Sequence, residues 1–171
     1  MGSEKRTTVG LISDTHGWLN PEIATVFSEC SCIVHAGDIG RREVLDELEA
    51  IAPVHAVKGN IDGGDLRFLP LELLEEVAGI RIAVLHIAGN PRSPNATARK
   101  LLARWSPDVL VVGHTHVPVV GRVGSTLWIN PGAAGREGHH ELAFAALLHI
   151  SDDGEVALDR VHLGARAGFD I

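Results

Sequence analysis

The sequence contains no tyrosine, and aromatic residues fill only 4% of its 171 positions. A base-stacking platform for single-stranded nucleic acid is therefore poorly supplied. Cations are also outnumbered: 15 Lys and Arg stand against 22 Asp and Glu, a formal charge of −7. That balance disfavours a long nucleic acid as partner, because backbone binding rests on cationic contacts to phosphate. The two cysteines, Cys30 and Cys32, form the run CSC. This is neither a CxxC redox pair nor a disulfide framework, and a bridge between strand residues two apart would be strained. Both are expected to behave as ordinary apolar residues near a strand start. No apolar run approaches the ~20 residues that a membrane span requires. The opening MGSEKRTT lacks the apolar core of a secretory signal, and Arg6 stands where a myristoylation motif requires Ser or Thr. A cytoplasmic protein without a membrane partner is the expectation.

What remains is an ordinary globular composition, 45% hydrophobic and 22% charged. One domain spanning residues 1–171 is expected, long enough to bury roughly 70% of its unfolded surface. TTVGLIS (7–13) and CIVHAGD (32–38) have strand character, as does VHAVKGN (54–60). Between them, NPEIATVFSEC and RREVLDELEAI have helical patterns, the first with Asn20 placed to cap and Pro21 suited to a first turn. The order β-α-β-α-β implies parallel pairing with right-handed crossovers. LELLEEVAGIRIAVLHIAG predicts two strands joined at Ala78-Gly79. SPNATARKLLARWSPD predicts a helix capped near Ser93 or Asn95 and stopped before Pro107. The remainder reads mostly as strands: VLVVGH, VPVVGRV, STLWINPG, ELAFAALLHI and VALDRVHL. The fold class is α/β, with helices concentrated early and antiparallel strands late.

Polar residues collect where these strands end. The first ends in Asp14-Thr15-His16, the second in Gly37-Asp38, and the third in Gly59-Asn60-Ile61-Asp62. IAVLHIAG carries His86, and VLVVGHTH runs into His114 and His116. If that last strand continues through Thr115, both imidazoles face one spot, since residues two apart share a side. Ligands bind open α/β sheets outside the carboxyl ends of strands, and Gly17, Gly37, Gly59 and Gly113 suit tight turns there. Two Asp, one Asn and four His at one rim would fill a core badly, since each needs a partner. Around one or two divalent ions they satisfy one another. Imidazole and carboxylate without thiolate suit Mn, Fe, Zn, Co or Ni. Asp38 is the candidate bridge, having two oxygens to offer two ions.

SDTHG, HAGD, GNID, the strand-end His86 and GHTH, in this order, resemble the calcineurin-like metallophosphoesterases. The likeness is greatest to their small single-domain phosphodiesterase branch, to which the retromer subunit Vps29 is related. INPGA at 129–133 resembles that branch's late Asn-Pro-Gly loop. The resemblance implies a two-sheet β-sandwich flanked by helices, in four αββα layers. It implies that Asp14, His16, Asp38 and His116 hold one metal and that Asp38, Asn60, His86 and His114 hold the other, with manganese the first choice. The implied activity is a dinuclear metal-dependent phosphoesterase, favouring phosphodiesters, in which a metal-bridging hydroxide attacks phosphorus in line. Asn60 and His86 are its expected catalytic groups, and a small phosphoester is its expected partner.

Two departures matter. Many members carry a histidine after the Gly-Asn pair, placed to protonate the leaving oxygen, whereas this chain has Ile61. Leaving groups of low pKa need no acid, so activated diesters are the expected substrates. The branch's His-Gly-His run is replaced by HIAGNPRS, which keeps His86 and brings Arg92 nearby as a substrate candidate against the simpler reading of a solvated loop residue. His35, just before Asp38, is expected in the core or behind a ligand, and Asp62 at a turn that steadies Asn60. His55, His149 and His162 are expected at surface or strand-edge positions. His139 and His140, in the polar loop GREGHH, either supply the missing acid or stay solvated. The rival function is a Vps29-like interaction module without catalysis, against which stands the full ligand set. A metal-binding sensor with slow turnover is a third reading. Homo-oligomerisation is left open, with Trp18 and Trp128 as exposed interface residues or core edges.

Overall fold

The computed structural model describes residues 6–138 and 141–165. The opening alternation gives β1 (Thr7–Ile12), α1 (Ile23–Val26), β2 (Cys32–His35), α2 (Arg42–Glu49) and β3 (Val54–Ala56). Next come β4 (Glu72–Val77), β5 (Ile80–Leu85), the short β6 (Gly89–Asn90) and β7 (Ser93–Pro94), and α3 (Ala96–Trp105). The chain then runs through β8 (Val109–Val112), β9 (Val119–Val123), β10 (Thr126–Asn130), β11 (Leu142–Ile150) and β12 (Val156–Ala165). None of the helices is long and apolar enough to cross a membrane among the described residues.

Two five-stranded sheets result, ordered β12-β11-β1-β2-β3 and β4-β5-β8-β10-β9. Each has three consecutive parallel strands: β1, β2 and the edge strand β3 in one, and β5, β8 and β10 in the middle of the other. The flanking strands pair antiparallel. Central strands of this kind are covered on both faces, which is why they are almost wholly apolar.

Alternate residues serve different layers. Val9, Leu11 and Val34 of the first sheet meet Ile82, Val84, Val109 and Val111 of the second in the inter-sheet core. The opposite face presents Ile12 and Ile33 to Ile23, Phe27, Val44, Leu45 and Leu48 of the α1–α2 layer. Ala83, Leu110 and Trp128 present the outer face of the second sheet to Ala98 and Leu101 of α3. The result is the expected αββα order. Burying each large aliphatic side chain is worth roughly 1.5–3 kcal/mol, so these three clusters carry the fold.

Local signals explain several boundaries. Ala78 (φ 49°) and Gly79 (φ 80°) form the two-residue turn between β4 and β5. Asn95 caps α3 by accepting the Ala98 N–H at 2.9 Å, and Ser106 in the left-handed region ends it before Pro107. Cys32 opens β2 and is buried, Cys30 is half-buried, and both are free thiols. Burial pushes the Cys30 thiol up to about 11, with a contribution from Cys32, so it is inert at neutral pH.

Four expectations are corrected. The helix expected over 20–30 is a single turn, Ile23–Val26. Asn20 turns away from capping it: its Oδ1 accepts the Glu22 N–H, while Nδ2 donates to Leu163 O. The strand expected to run through His114 stops at Val112. Trp128 is 1% exposed and lies in the α3 core, so it marks no interface. Its five-residue strand sits between two others, and the burial of the whole indole follows from that central place.

Candidate metal centre

The seven candidate side chains lie in loops that leave the carboxyl ends of the parallel strands. These loops are stitched to each other through the backbone. Asp14 N–H donates to Gly37 O (3.0 Å), His16 N–H to Asp38 O (3.0 Å) and Gly17 N–H to Ile39 O (2.7 Å). Within the second sheet Gly113 N–H donates to His86 O, and across the two sheets Ala134 and Gly135 N–H donate to Ser13 O and Asp14 O. Two glycines permit this closeness. A Cβ at Gly59 would lie 2.1 Å from Asp38 N, and one at Gly113 would lie 2.1 Å from Ser13 Oγ.

Five of the seven residues have positive φ: Asp14 (54°), His16 (49°), Asp38 (53°), His114 (70°) and His116 (62°). Only Ala78 and Ser106, both at element ends, share that property among the described non-glycine residues. Such a conformation costs on the order of 1–3 kcal/mol per residue, and its concentration at one place is characteristic of a functional site. It also corrects the two-apart argument. His114 and His116 are not strand neighbours on one side; the left-handed turns aim them at different partners.

The donors form two groups. Asp14, His16 and His116 offer ligand atoms all within 4.8 Å of one another, and so do Asp38, His86 and His114. In the first, His116 Nε2 lies 3.2 Å from Asp14 Oδ1. In the second, His86 Nε2 lies 3.2 Å from Asp38 Oδ1. Asn60 Oδ1 joins this second group, 3.1 Å from His86 Nε2 and 3.0 Å from His114 Nδ1. Asp38 stands between the groups: its other oxygen, Oδ2, is 3.8 Å from His16 Nε2. Two buried atoms, Asp14 Oδ1 and His16 Nε2, have no hydrogen-bond partner among the described residues. Orphaned buried acceptors are costly unless something cationic completes them. Both point into the first donor group, and the all-N/O donor chemistry fits divalent transition-metal ions.

Charge is arranged accordingly. Burial acts to raise the Asp38 carboxyl, but the hydrogen bond from His86, that imidazole's charge, the Ile61 N–H and His16 together hold it below its ordinary value. For His86, burial pulls downward, and the Asp38 hydrogen bond with the charges of Asp14 and Asp38 outweighs it, leaving the imidazole raised. Its Nδ1 is 2.7 Å from Ala36 O, to which it donates, and this leaves Nε2 facing Asp38 and Asn60.

The supporting residues divide clearly. Asp62 accepts from Gly59 N–H (2.8 Å) and Ile39 N–H (3.2 Å) on Oδ2 and from Gly40 N–H (2.8 Å) on Oδ1. It steadies the backbone on either side of Asn60 and Asp38 through these N–H groups. His35 is fully buried; Nδ1 accepts the Gly37 N–H, and Nε2 lies 3.0 Å from Thr15 Oγ1. Thr15 Oγ1 in turn donates to Ile39 O, so the hydroxyl receives its bond from His35. Arg92 lines a different recess, with Asn90 and the β9 residues Val119, Val120 and Arg122, and not the one bordered by Asn60 and His86. Among the remaining histidines, His55 pairs with Glu75 (3.3 Å), His149 lies between Thr8 and Asp159, and His162 is exposed on the edge strand β12 against Phe144. His139 and His140 lie outside the described residues.

Three contributors were not singled out from the sequence. Asn130 donates from Nδ2 to Gly113 O (3.1 Å) and Thr115 Oγ1 (3.0 Å), pinning the loop that carries His114 and His116. Ser13 Oγ donates to Asp14 Oδ2 at 2.6 Å. Glu137 Oε2 approaches His16 Nδ1 at 3.5 Å, on a loop where Arg136 stacks 3.9 Å over Trp18. The INPGA likeness was the available signal for Asn130. Nothing in the sequence pattern marked Glu137.

Residues 8–153 match the model of the calcineurin-like phosphoesterase superfamily domain. The chain belongs to that superfamily. Among curated relatives it is 33% identical over 130 residues to a protein of Methanothermobacter thermautotrophicus named "Probable metallophosphoesterase", covering 73% of this chain and 76% of the relative. Among solved structures it superposes on vacuolar protein sorting 29 from Cryptosporidium parvum with a TM-score of 0.73, at 18% identity over 92% of this chain and 97% of that one. It also superposes on a protein described as a novel archaeal phosphodiesterase, with a TM-score of 0.69 and 20% identity over 91% of this chain and all (100%) of the other. The chain is thus a metallophosphoesterase by family, with candidate divalent-metal donors in two groups.

Proposed function

We propose that this protein is a cytoplasmic, dinuclear metal-dependent phosphoesterase that cleaves small phosphodiesters. The observation that carries the reading is the placement of Asp38, with one oxygen toward each donor group. Asp14, His16, Asp38 and His116 would hold one ion, and Asp38, Asn60, His86 and His114 the other, with manganese the first choice. Such a pair of ions, when bound, lowers the pKa of coordinated water and neutralises charge on phosphoryl oxygens. The chain's own groups do the rest. The Asn60 carbonyl oxygen lies against His86 and His114, and its amide N–H groups would be the donors for a phosphoryl oxygen. Ile61 has no proton to give a departing oxygen; its side chain is half out in solvent, and only its N–H takes part, donating to Asp38 Oδ1 at 3.1 Å. Aryl and other low-pKa leaving groups therefore suit this site better than alkyl ones.

A Vps29-like interaction module is the second reading, favoured by exposed apolar side chains Leu71 and Ile87 beside Asn60 and His86. Turnover separates the two. After chelation, wild-type protein supplied with Mn²⁺ should hydrolyse bis-p-nitrophenyl phosphate, and Asp38→Asn and His116→Gln should lose at least about a hundredfold of that rate. Full activity in either variant sinks the site assignment, and no turnover with Mn²⁺, Co²⁺, Zn²⁺ or Ni²⁺ favours the interaction module.

A further inference from the structure

A recess of about 400 Å³ opens directly beside the second donor group, with Asn60 and His86 forming one of its walls. The size falls within the roughly 300–1,000 Å³ of small-molecule sites. Its other walls are mostly apolar. Leu71 is 64% exposed and Ile87 41% exposed, yet both line this same recess, and Leu85 closes its floor. Single exposed aliphatic residues are ordinary, but two that converge on the wall of a candidate catalytic centre form an apolar surface that a substrate can cover. Lys58 and Thr97 are the polar side chains at its edge, besides those of the donor loops.

A phosphomonoester presents one organic arm and a dianion, whereas a phosphodiester presents two arms and a single charge. A recess bordering the phosphate position gives an organic arm somewhere to bind, and binding energy from parts of a substrate remote from the reacting bond is what such a site can use. We propose that the recess seats an apolar, ring-sized arm of a phosphodiester, with Leu71 and Ile87 as the specificity-determining contacts and Lys58 and Thr97 meeting polar substituents on that arm. The proposal rests on the phosphoesterase reading above and narrows its substrate class.

Two symmetric diesters test it as inhibitors of bis-p-nitrophenyl phosphate hydrolysis by the Mn²⁺-loaded protein: diphenyl phosphate and dimethyl phosphate. Diphenyl phosphate should bind about tenfold or more tightly, the scale at which apolar pockets discriminate. Leu71→Asn and Ile87→Asn, both at exposed positions that the fold does not need, should bring the ratio close to one while inhibition by dimethyl phosphate and inorganic phosphate stays unchanged. Equal inhibition by the two diesters in wild type, or an unchanged ratio in the double variant, overturns the proposal and leaves the phosphoesterase reading intact. Absence of turnover with any metal defeats the phosphoesterase reading instead. In that event the recess is judged by NMR: diphenyl phosphate shifting the Leu71 and Ile87 methyl resonances, with dimethyl phosphate leaving them in place, supports it, and unmoved resonances overturn it.

Discussion

His35 shows how one residue type can be put to opposite uses a few positions apart. Asp38, three residues on, is exposed to donor groups on both sides, while His35 is sealed behind it between Gly37 N–H and Thr15 Oγ1. Burial lowers its pKa to about 4, only partly offset by the nearby carboxylates of Asp62 and Asp14. Its ordinary value is 6.5, so between pH 6.5 and about 4 the unfolded chain takes up a proton that the folded protein refuses. Stability is therefore complete above pH 6.5 and falls as the pH drops through that window, by about 3 kcal/mol for this group alone. A ring-proton NMR titration should find His35 neutral at pH 5 and titrating near 4; a midpoint near 6.5 would contradict the sealed, neutral imidazole. The chemical types at the site were legible from the strand-end pattern. The backbone conformations were not: a motif such as GHTH does not announce that both histidines adopt positive φ.

Among the elements, the loop after β8 is the most instructive. An apolar run followed by two histidines suggested a continuing strand, yet the strand stops at Val112 and the loop is held by contacts from β10. Asn130 supplies them from eighteen positions beyond the end of that strand, which no local pattern encodes. Removing its amide leaves Gly113 O and Thr115 Oγ1 without that donor and lets the loop relax. Asn130→Ala should lower metal affinity about 10–100-fold, the usual effect of losing a group that orients ligands, while the donor residues themselves remain. Calorimetric titration with Mn²⁺ checks this, and wild-type affinity would show the loop to be held by other means. The same limit explains α1. Its helical pattern is present in the sequence, but Asn20 bonds to Leu163 O on the far strand β12 and to the Glu22 N–H, so the segment before Ile23 is a turn.

On the scale of the whole molecule, the donor groups join loops from both sheets. Asp14, His16 and Asp38 come from the first sheet, and His86, His114 and His116 from the second. Ions held between them should tie the sheets together and stabilise the folded state by mass action. At a free Mn²⁺ concentration a hundred times its Kd, the gain should be about 2.7 kcal/mol in urea unfolding, reversed by chelator and much reduced in Asp38→Asn. A stability that ignores Mn²⁺ would mean the donors do not bind it. The sequence by itself determined the α/β class, the positions of most strands and the residue types at the strand ends, because hydrophobic period and strand termination are local properties of the chain; the αββα layering followed only from the resemblance of its motifs to a known family. The family resemblance had already sorted the histidines between two ions with Asp38 shared; only the tertiary structure decided the left-handed conformations that bring these groups together, that Asn130 and Glu137 support the loops, and that Leu71 and Ile87 share a recess with Asn60. Those relations depend on left-handed turns and on contacts between residues distant in sequence, which are fixed only when the two sheets pack.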